Sequence, residues 1–592
     1  MDIRSVLEQC SLFAGLPPAA LERLQGLCTE QELRGGEVLF AIGEPASHLY
    51  IIASGSLRVR LPGGEVAAEV GRSEPLGEIG LFSREPHGAE ARALRDSLVL
   101  RIPRESLLDF VATYPSALVA MTQTIVERLL RNRRQVLLAS ARRGRALALV
   151  AATPDMDLSG PADQLAQALR QSGAVVEKLD IARIDTALGA GAAQRLLSDP
   201  ALHENLMNWL DDPAHRDSYL LYCAGAGGDA WAECCLRQCD RVLVLAKSGD
   251  PPTDSQVQEL MRRLGLQVPV DLLLLRERDA PTGDTLGWRR QTGAGAHWLL
   301  RPGNAADYAS LARQLSGRGL GLVLSGGGAR GFAHIGLVRA LEELGMPVDL
   351  AGGTSMGAFV SALLACGLDS REMQKVTRET FVEHNYLNDY VLPRVSLIRG
   401  RKFLNRLKVI FGERRIEDLA LPFFCVSTNL TQARTVVHNS GELATWIGTS
   451  MAIPGVAPPV AWHGDLLVDG AVTNSLPTDV MQDLGRGPII ASDVSTDGSL
   501  RAPGIEGPDP EALLRRGREG AHISLVDILF GAVALTSESG VRMRASRADL
   551  YLRMPLGGVA LFDWKRLDEI VERGYEHAMQ RLPRFRQEFM QS

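Results

Sequence analysis

The strongest constraint on the fold of this 592-residue sequence is a pair of glycine-framed turns in its C-terminal half. Each turn follows a short apolar run and precedes a helical stretch: the first is Ser325-Gly-Gly-Gly-Ala-Arg-Gly, and the second is Gly353-Thr-Ser-Met-Gly. Apolar strands that alternate with helices are typical of a parallel sheet covered by helices on both faces. The sequence therefore predicts an α/β domain that begins near residue 319, with both turns at the carboxyl ends of strands.

The second turn has the G-x-S-x-G pattern of a nucleophile elbow, with Ser355 between Gly353 and Gly357. Such a turn is too tight for side chains at the flanking positions, and it exposes the serine hydroxyl above the N-terminus of the next helix. The positive end of that helix favours the alkoxide form of the serine. Ser355 is therefore the predicted nucleophile.

The first turn leaves backbone N–H groups bare at a helix N-terminus, and such groups bind anions. Its glycines also fit the G-x-G-x-x-G pattern of dinucleotide sites, which require an acidic residue ~20 positions later to hold a ribose. Asp349 lies at about that distance, so dinucleotide binding is a second interpretation of this turn. The elbow that follows favours nucleophilic catalysis.

A serine nucleophile needs a base, and the sequence offers two kinds. Asp469 ends a predicted strand just before Gly470, and an α/β sheet gathers its functional groups at the carboxyl ends of strands. We therefore expect Asp469 near Ser355, although an Asp-Gly pair is otherwise an ordinary turn. The alternative is a Ser-His-Asp triad that uses His522 or His577, neither of which falls in a predicted strand-end turn.

Three motifs in this order, the first turn, the elbow and Asp469-Gly-Ala, resemble the patatin-like phospholipase family. Segments 416–431 and 450–459 resemble more narrowly the neuropathy target esterase branch of that family. The resemblance implies an α/β/α hydrolase domain that cleaves carboxylic esters of lysophospholipids or phospholipids through an acyl-enzyme.

The same resemblance implies the roles of individual residues. Ser355 and Asp469 would form a dyad without histidine, with Asp469 as general base and Gly470 and Ala471 completing the acid motif. The oxyanion hole would be formed in the first turn by the N–H groups of Gly327 and Gly328 together with neighbouring ones, among Gly326, Ala329, Arg330 and Gly331.

Short strands separated by glycine turns between residues 33 and 102 indicate a small β-roll. This region resembles a cyclic-nucleotide-binding domain, and the resemblance implies a ribose contact from Gly77 and Glu78. His87 stands where that family has its phosphate-binding arginine, and Glu90 adds an acid close by. Because a mostly neutral imidazole replaces a permanent cation, we expect the fold to be kept and nucleotide binding to be weakened or lost.

Four apolar runs of strand length alternate with helical stretches between residues 145 and 303, which predicts a parallel α/β domain. No phosphate loop follows the first run, so we expect a structural role. The region does not have the compact helix-turn-helix pattern that a cyclic-nucleotide-responsive DNA-binding regulator would need. The sequence therefore predicts three domains. Residues 1–140 form a β-roll with helices, residues 145–303 form the central α/β domain, and residues 319–592 form the hydrolase domain.

Composition and charge set further expectations. A net charge of -6 gives the chain no general affinity for nucleic acid. Eight cysteines are far too few for a disulfide scaffold, and the group Cys234, Cys235 and Cys239 lacks a fourth zinc ligand. We expect no metal, no cofactor and, in the absence of a signal peptide or a spanning segment, a cytoplasmic protein.

One segment suggests contact with a lipid surface. Basic and apolar residues alternate between positions 394 and 411, a pattern that docks on anionic headgroups. An ordinary helix with an apolar core face fits this pattern equally well. We therefore expect a lipid substrate and, at most, peripheral contact with the inner face of the membrane. The sequence predicts no oligomeric state.

Overall fold

The computed structural model describes residues 3–591 apart from 11, 14–15, 61–65, 78–85, 115–144, 211–217, 227, 254–255, 278–282, 385, 393, 496–507, 510 and 512–542. It divides into two compact units, Met1–Ser316 and Gly317–Ser592. Among the helices of these described ranges, none has both the length and the apolarity that crossing a bilayer requires. The three-domain boundaries given above stay predictions.

The N-terminal part of the first unit is a β-roll made of two four-stranded antiparallel sheets. Their orders are β1-β8-β3-β6 and β2-β7-β4-β5. The strands are β1 Thr29–Leu33, β2 Val38–Phe40, β3 His48–Ser54, β4 Ser56–Arg60, β5 Val66–Gly71, β6 Pro75–Leu76, β7 Glu90–Ala93 and β8 Ser97–Pro103. Helices Ile3–Gln9, Pro18–Gln25 and Arg104–Thr113 flank them. The predicted roll is confirmed.

The second part of this unit is a six-stranded parallel sheet of order β10-β11-β9-β12-β13-β14. Its strands are β9 Ala146–Ala151, β10 Val176–Leu179, β11 Tyr219–Ala224, β12 Arg241–Lys247, β13 Val270–Leu275 and β14 Ala296–Leu300. The helices are Ser159–Gln171, Ile181–Leu188, Ala192–Arg195, Pro200–Leu210, Ala230–Gln238, Gln256–Leu264, Thr285–Thr292 and Ala305–Leu315. Every residue of β9 is buried, as expected for a strand covered on both faces.

The second unit is built on an eight-stranded sheet of order β19-β20-β17-β16-β15-β21-β22, with β18 paired to β17. Its strands are β15 Gly321–Leu324, β16 Leu350–Thr354, β17 Phe423–Asn429, β18 Arg434–His438, β19 Val460–Trp462, β20 Asp465–Asp469, β21 Ile489–Asp493 and β22 Leu550–Arg553. The α-helices are Ala333–Glu343, Met356–Ala365, Ser370–Thr377, Arg401–Phe411, Leu443–Ser450, Thr478–Leu484 and Leu567–Gln591. The predicted α/β class is confirmed.

This sheet is only partly parallel. Strands β15, β16, β17, β21 and β22 run parallel, whereas β18, β19 and β20 form antiparallel pairs at one side. The central strand β15 is buried at all four positions, and an extensive apolar cluster packs on it from the surrounding helices. The antiparallel side matters for function because β20 carries Asp469.

Candidate active site

Ser355 occupies a strained turn between β16 and the helix Met356–Ala365. Its backbone has φ 53° and ψ −121°, a conformation that non-glycine residues rarely adopt. A Cβ at Gly357 would lie 2.1 Å from the carbonyl oxygen of Leu324, and a Cβ at Gly353 would lie 2.6 Å from the carbonyl carbon of Gly357. The two glycines therefore allow the helix to approach the sheet closely, which is what the elbow motif predicted.

The nucleophile candidate is hydrogen-bonded directly to the predicted acid. Ser355 Oγ donates to Asp469 Oδ2 at 2.6 Å, and the N–H of Ala471 donates to Asp469 Oδ1 at 2.8 Å. Ser355 is 4% exposed and Asp469 is 1% exposed. The two side chains are thus held together away from bulk water.

Asp469 reaches Ser355 for a different reason from the one expected. It does end a strand, but β20 runs antiparallel to β17, so its carboxyl end reaches the carboxyl edge of the parallel strands from the opposite direction. In the register, Thr354 pairs with Val426 and Asp469 pairs with Ser427. Because β17 continues beyond the end of β16, β20 can return along it and place Asp469 at the level of Ser355.

Burial raises the pKa of the Asp469 carboxyl from its ordinary value of 3.8 to about 7. Desolvation penalises the charged form, and the hydrogen bonds from Ser355 and Ala471 oppose this shift only in part. A carboxylate with this pKa is far more basic than a solvated one, so it can accept a proton near neutral pH.

No histidine that the structure describes takes part in this contact. Among the described residues, no imidazole is hydrogen-bonded to Ser355 or Asp469. His577 lies in the helix Leu567–Gln591, and His522 lies outside the described residues. His334 is fully buried and bonds Ser492 Oγ and the Ser325 carbonyl, each at 2.9 Å, and burial lowers its pKa to about 4.

The glycine turn lies beside Ser355, but several of its N–H groups are already used. A Cβ at Gly326 would lie 3.2 Å from Ser355 Cβ. The N–H of Gly326 donates to the carbonyl of Ser475 at 3.1 Å, and the N–H of Ala329 donates to that of Leu561 at 2.8 Å. These two groups fix the turn and are not oriented toward a reacting ester.

Two other positions of the turn have N–H groups that remain available. Within the described part of the chain, no acceptor takes the N–H of Gly327 or Gly328, and Gly328 lines the cavity next to Ser355. Arg330 Nε donates to the carbonyl of Val559 at 3.1 Å, so this side chain supports the loop. Gly331 serves packing, because a Cβ there would lie 2.4 Å from Met356 Cγ.

The acid that a dinucleotide site would need is placed elsewhere. Asp349 is buried just before β16, and it accepts the N–H of Leu320 at 3.0 Å. It therefore lies at the opposite end of β16 from Ser355. Ser325, the other residue singled out at a strand end, accepts the N–H of Val494 through its hydroxyl at 2.9 Å.

An apolar cavity of about 330 Å³ opens beside Ser355. Its walls come from the segments 398–404 and 445–460 and from the region around residue 562. The apolar side chains that line it include Met356, Phe381, Phe403, Leu404, Met451, Ile453, Val456 and Trp564. A cavity of this character is suited to a hydrocarbon chain attached to the ester that Ser355 would attack.

The sequence interpretation missed one residue of the site. Ser450, at the end of the helix Leu443–Ser450, accepts the N–H of Ser355 at 3.0 Å and donates to the Val426 carbonyl at 2.7 Å. It thereby links the strained elbow to β17. Segment 450–459 carried the family resemblance, but nothing in its spacing showed that the serine side chain would bond to the elbow.

The predicted nucleotide-pocket residues are only partly described. Gly77 has φ 85°, and Glu78 lies outside the described residues. His87 is buried and stacks on Phe40 with ring centroids 3.8 Å apart, and burial lowers its pKa. Glu90 pairs with Arg92 at 3.0 Å. The His87 ring is therefore neutral and packed, and it supplies no fixed cation for a phosphate.

Comparison with known proteins identifies three matching regions of the chain. Residues 322–481 match the family described as patatin-like phospholipase, residues 30–114 match the cyclic nucleotide-binding domain, and residues 144–300 match the neuropathy target esterase family P-loop like domain. An uncharacterized NTE family protein of Mycobacterium tuberculosis is 30% identical over 584 residues, which cover 97% of this chain and 95% of that protein.

Two longer relatives match as well. Lysophospholipase NTE1 of Mycosarcoma maydis is 28% identical over 98% of this chain and 35% of its own length. Patatin-like phospholipase domain-containing protein 6 of Homo sapiens is 29% identical over 92% of this chain and 44% of its own length. The chain spans less than half of these two proteins but almost all of the mycobacterial one. It therefore belongs to the neuropathy target esterase (NTE) family and, through its patatin-like phospholipase domain, is a carboxylic ester hydrolase.

Proposed function

We propose that this protein is a lysophospholipase in which Ser355 and Asp469 form the catalytic dyad. The observation that carries the proposal is the 2.6 Å hydrogen bond between these two buried side chains at an apolar cavity. The name of the relative from Mycosarcoma maydis, a lysophospholipase, supports the same substrate class.

The reaction proceeds in two steps through an acyl-enzyme. Ser355 Oγ attacks the ester carbonyl while its proton passes to Asp469 Oδ2, and the N–H groups of Gly327 and Gly328 stabilise the oxyanion. Asp469 then returns the proton to the leaving glyceryl oxygen as the ester C–O bond breaks. In the second step Asp469 takes a proton from water, the resulting hydroxide attacks the acyl-serine, and the proton returns to Ser355 as the fatty acid leaves.

The cavity size favours a substrate with one acyl chain. Its volume of about 330 Å³ is at the lower end of the ~300–1,000 Å³ that is usual for small-molecule sites. We therefore expect fatty-acid release from a lysophospholipid to be at least about tenfold faster than from the matching diacyl phospholipid, because the cavity has room for only one of the two chains. Fatty-acid release from mixed micelles of lysophosphatidylcholine or phosphatidylcholine measures this ratio.

A variant with a narrower cavity tests whether the acyl chain binds there. Gly448 lines the cavity, and a Cβ there would lie 3.5 Å from Leu404 and Leu407 side chains, an ordinary contact. Gly448→Val should therefore fold and narrow the cavity, and the ratio of long-chain to butyryl ester hydrolysis should fall. Equal rates on one-chain and two-chain lipids, with an unchanged ratio in Gly448→Val, would contradict the assignment of the cavity to a single acyl chain.

The second expectation under this proposal is that the N-terminal roll does not respond to cyclic nucleotides. The buried, stacked His87 replaces the cation that a cyclic phosphate requires, and Glu90 is already paired with Arg92. Isothermal titration of the full chain with cyclic AMP or cyclic GMP should give no binding heat up to roughly 100 μM ligand. A saturable heat at micromolar concentration would show that the roll has kept a ligand site.

A further inference from the structure

The most exposed large apolar side chains of the described residues lie in one stretch of the second unit. Leu392 is 76% exposed, Val409 75%, Tyr390 72% and Val395 69%. Three of the four belong to the described residues 390–392 and 394–398, which we call the rim loop. Contiguous exposed apolar groups of this kind mark an interaction surface.

The rim loop is held firmly at its base. Tyr390 forms a β-bridge with Ile398, and the N–H of Val391 donates to the Leu397 carbonyl at 3.0 Å. The N–H groups of Leu397 and Ile398 donate to the carbonyls of residues 455 and 456, at 2.9 and 3.0 Å. The exposed side chains between these anchors therefore project from a structured hairpin-like loop.

This loop is continuous with the mouth of the apolar cavity. Ile398, Arg399, Gly400 and Arg401 follow its tip directly, and all four line the cavity that reaches Ser355. Asp389 fixes the same corner, because its carboxylate accepts the N–H groups of Gly400 at 3.3 Å and Lys402 at 3.2 Å. A surface that engages the rim loop is therefore adjacent to the entrance of the site.

All charged side chains of the rim loop and the helix after it are basic. No acidic residue occurs from position 390 to 412, whereas the whole chain has a net charge of -6. Among the basic side chains, Arg394, Arg399, Arg401 and Lys402 are exposed. Arg406 faces inward and pairs with Glu379 at 2.9 Å. Exposed basic groups around protruding apolar ones complement a surface with anionic headgroups over a hydrocarbon interior.

The helix that follows has a different role from the loop. Phe403, Leu407 and Phe411 of the helix Arg401–Phe411 are buried in the core of the unit. The alternating segment 394–411 is thus an ordinary core-facing helix over most of its length. Most of the exposed basic and apolar side chains lie instead at the N-terminal end of this helix and in the rim loop before it.

We propose that the rim loop docks the protein on the surface of an anionic phospholipid bilayer. Tyr390, Leu392 and Val395 enter the interfacial region, and Arg394 with the basic residues at the cavity mouth contacts the headgroups. In this position the cavity faces the membrane, and a lipid chain moves from the bilayer toward Ser355 without crossing water. The delivery of substrate rests on the lysophospholipase function proposed above, whereas the binding of the loop to lipid does not.

Co-sedimentation of the full chain with sucrose-loaded vesicles tests this proposal. Vesicles of phosphatidylcholine are compared with vesicles that contain phosphatidylserine as well, at low and high salt. The wild type should partition more strongly onto the anionic vesicles, and added salt should weaken that binding. Leu392→Ser/Val395→Ser should reduce partition by roughly tenfold or more, and Arg394→Gln by roughly fivefold at low salt.

The matched control is Val175→Ser/Leu484→Ser, which changes side chains that are 65% and 44% exposed elsewhere on the chain. It should bind vesicles as the wild type does. Failure of the wild type to bind anionic vesicles, or equal binding by the Leu392→Ser/Val395→Ser protein, would overturn the proposal. A dimer in gel filtration that this double variant converts to monomer would assign the loop to a second copy of the chain and also overturn it.

A water-soluble short-chain ester separates this proposal from the catalytic one. The Leu392→Ser/Val395→Ser protein should hydrolyse 4-nitrophenyl butyrate at the wild-type rate, because neither residue lines the cavity. Ser355→Ala should lose that hydrolysis and still sediment with anionic vesicles. Loss of sedimentation in Ser355→Ala would contradict docking by the rim loop, whereas retained hydrolysis would contradict only the proposed dyad.

Discussion

Replacing Ser355 with alanine is expected to lower ester hydrolysis by about 10⁴-fold or more. Without the hydroxyl no acyl-enzyme can form at this position, and among the described residues no other hydroxyl is hydrogen-bonded to Asp469. The measurement is the steady-state rate with lysophosphatidylcholine and with 4-nitrophenyl butyrate. Both substrates should be affected equally, because the loss lies in the chemical step and not in lipid binding.

A second buried serine provides the control for this variant. Ser361 lies in the same helix, is fully buried, and donates to the Gly352 carbonyl at 3.1 Å. Ser361→Ala removes the same atom near the same turn without touching the dyad, so activity should stay within about threefold, since losing one such bond affects mainly stability. Comparable circular dichroism and apparent Tm in both variants would show that they fold. Substantial hydrolysis by Ser355→Ala would reject Ser355 as the nucleophile.

Local motifs in the sequence were sufficient to predict the tight turn at Ser355. The elbow at Ser355 depends only on residues within a few positions, because the two flanking glycines and the following apolar helix determine the turn. The burial of β9 and β15 follows equally from short-range patterns, since a strand covered on both faces needs a continuous apolar run. Features of this kind can be predicted from a single sequence.

Long-range register could not be predicted in the same way. Asp469 was expected near Ser355 because strand ends gather at one edge, yet β20 runs antiparallel and reaches the site through its pairing with β17. The contact between Ser355 and Ser450 spans 95 positions and depends on where a helix ends relative to β17. Such contacts arise from the packing of separate elements, and no local pattern encodes them.

The sequence of the glycine turn also does not show which of its N–H groups are available as donors. Six positions from Gly326 to Gly331 were candidates for the oxyanion hole, and only the family resemblance put Gly327 and Gly328 first among them. The structure commits the N–H groups of Gly326 and Ala329 to backbone carbonyls. Local pattern cannot tell a bonded N–H group from an available one, because every residue of the turn carries the same group, so this distinction needs the three-dimensional hydrogen bonds.

Replacing Asp469 with asparagine should lower kcat by about 10³-fold, within the ~10²–10⁴ range of a lost general base. The amide keeps the size of the side chain and can accept the Ala471 N–H, but it cannot take the proton of Ser355. Asp465→Asn, four positions earlier on β20, is the matched control, because the Asp465 carboxylate accepts hydrogen bonds from Asn429 and Gln432 and does not contact Ser355.

Replacing His522 and His577 together with alanine should leave hydrolysis intact, whereas a Ser-His-Asp triad predicts that hydrolysis is lost.

The ionisation of the Asp469 carboxyl should determine how the rate and the free energy of unfolding depend on pH. Because only ionised Asp469 accepts the proton of Ser355, kcat/KM of the wild type should rise through a pKa of about 7 and then level off.

The free energy of unfolding should change with pH in the opposite direction. The folded state keeps the Asp469 proton up to a pKa of about 7, whereas the unfolded chain releases it near the ordinary pKa of 3.8. The stability that the protonated carboxyl contributes is therefore fully present below pH 3.8 and is lost as pH rises through about 7. Asparagine does not ionise, so Asp469→Asn should be more stable than the wild type at pH 8, by up to about 4 kcal/mol, and the difference should shrink toward pH 4. Calorimetric unfolding of both proteins across this range measures the effect, and an activity limb below pH 5 or an Asp469→Asn protein no more stable than the wild type at pH 8 would show that the carboxyl is not the buried base described here.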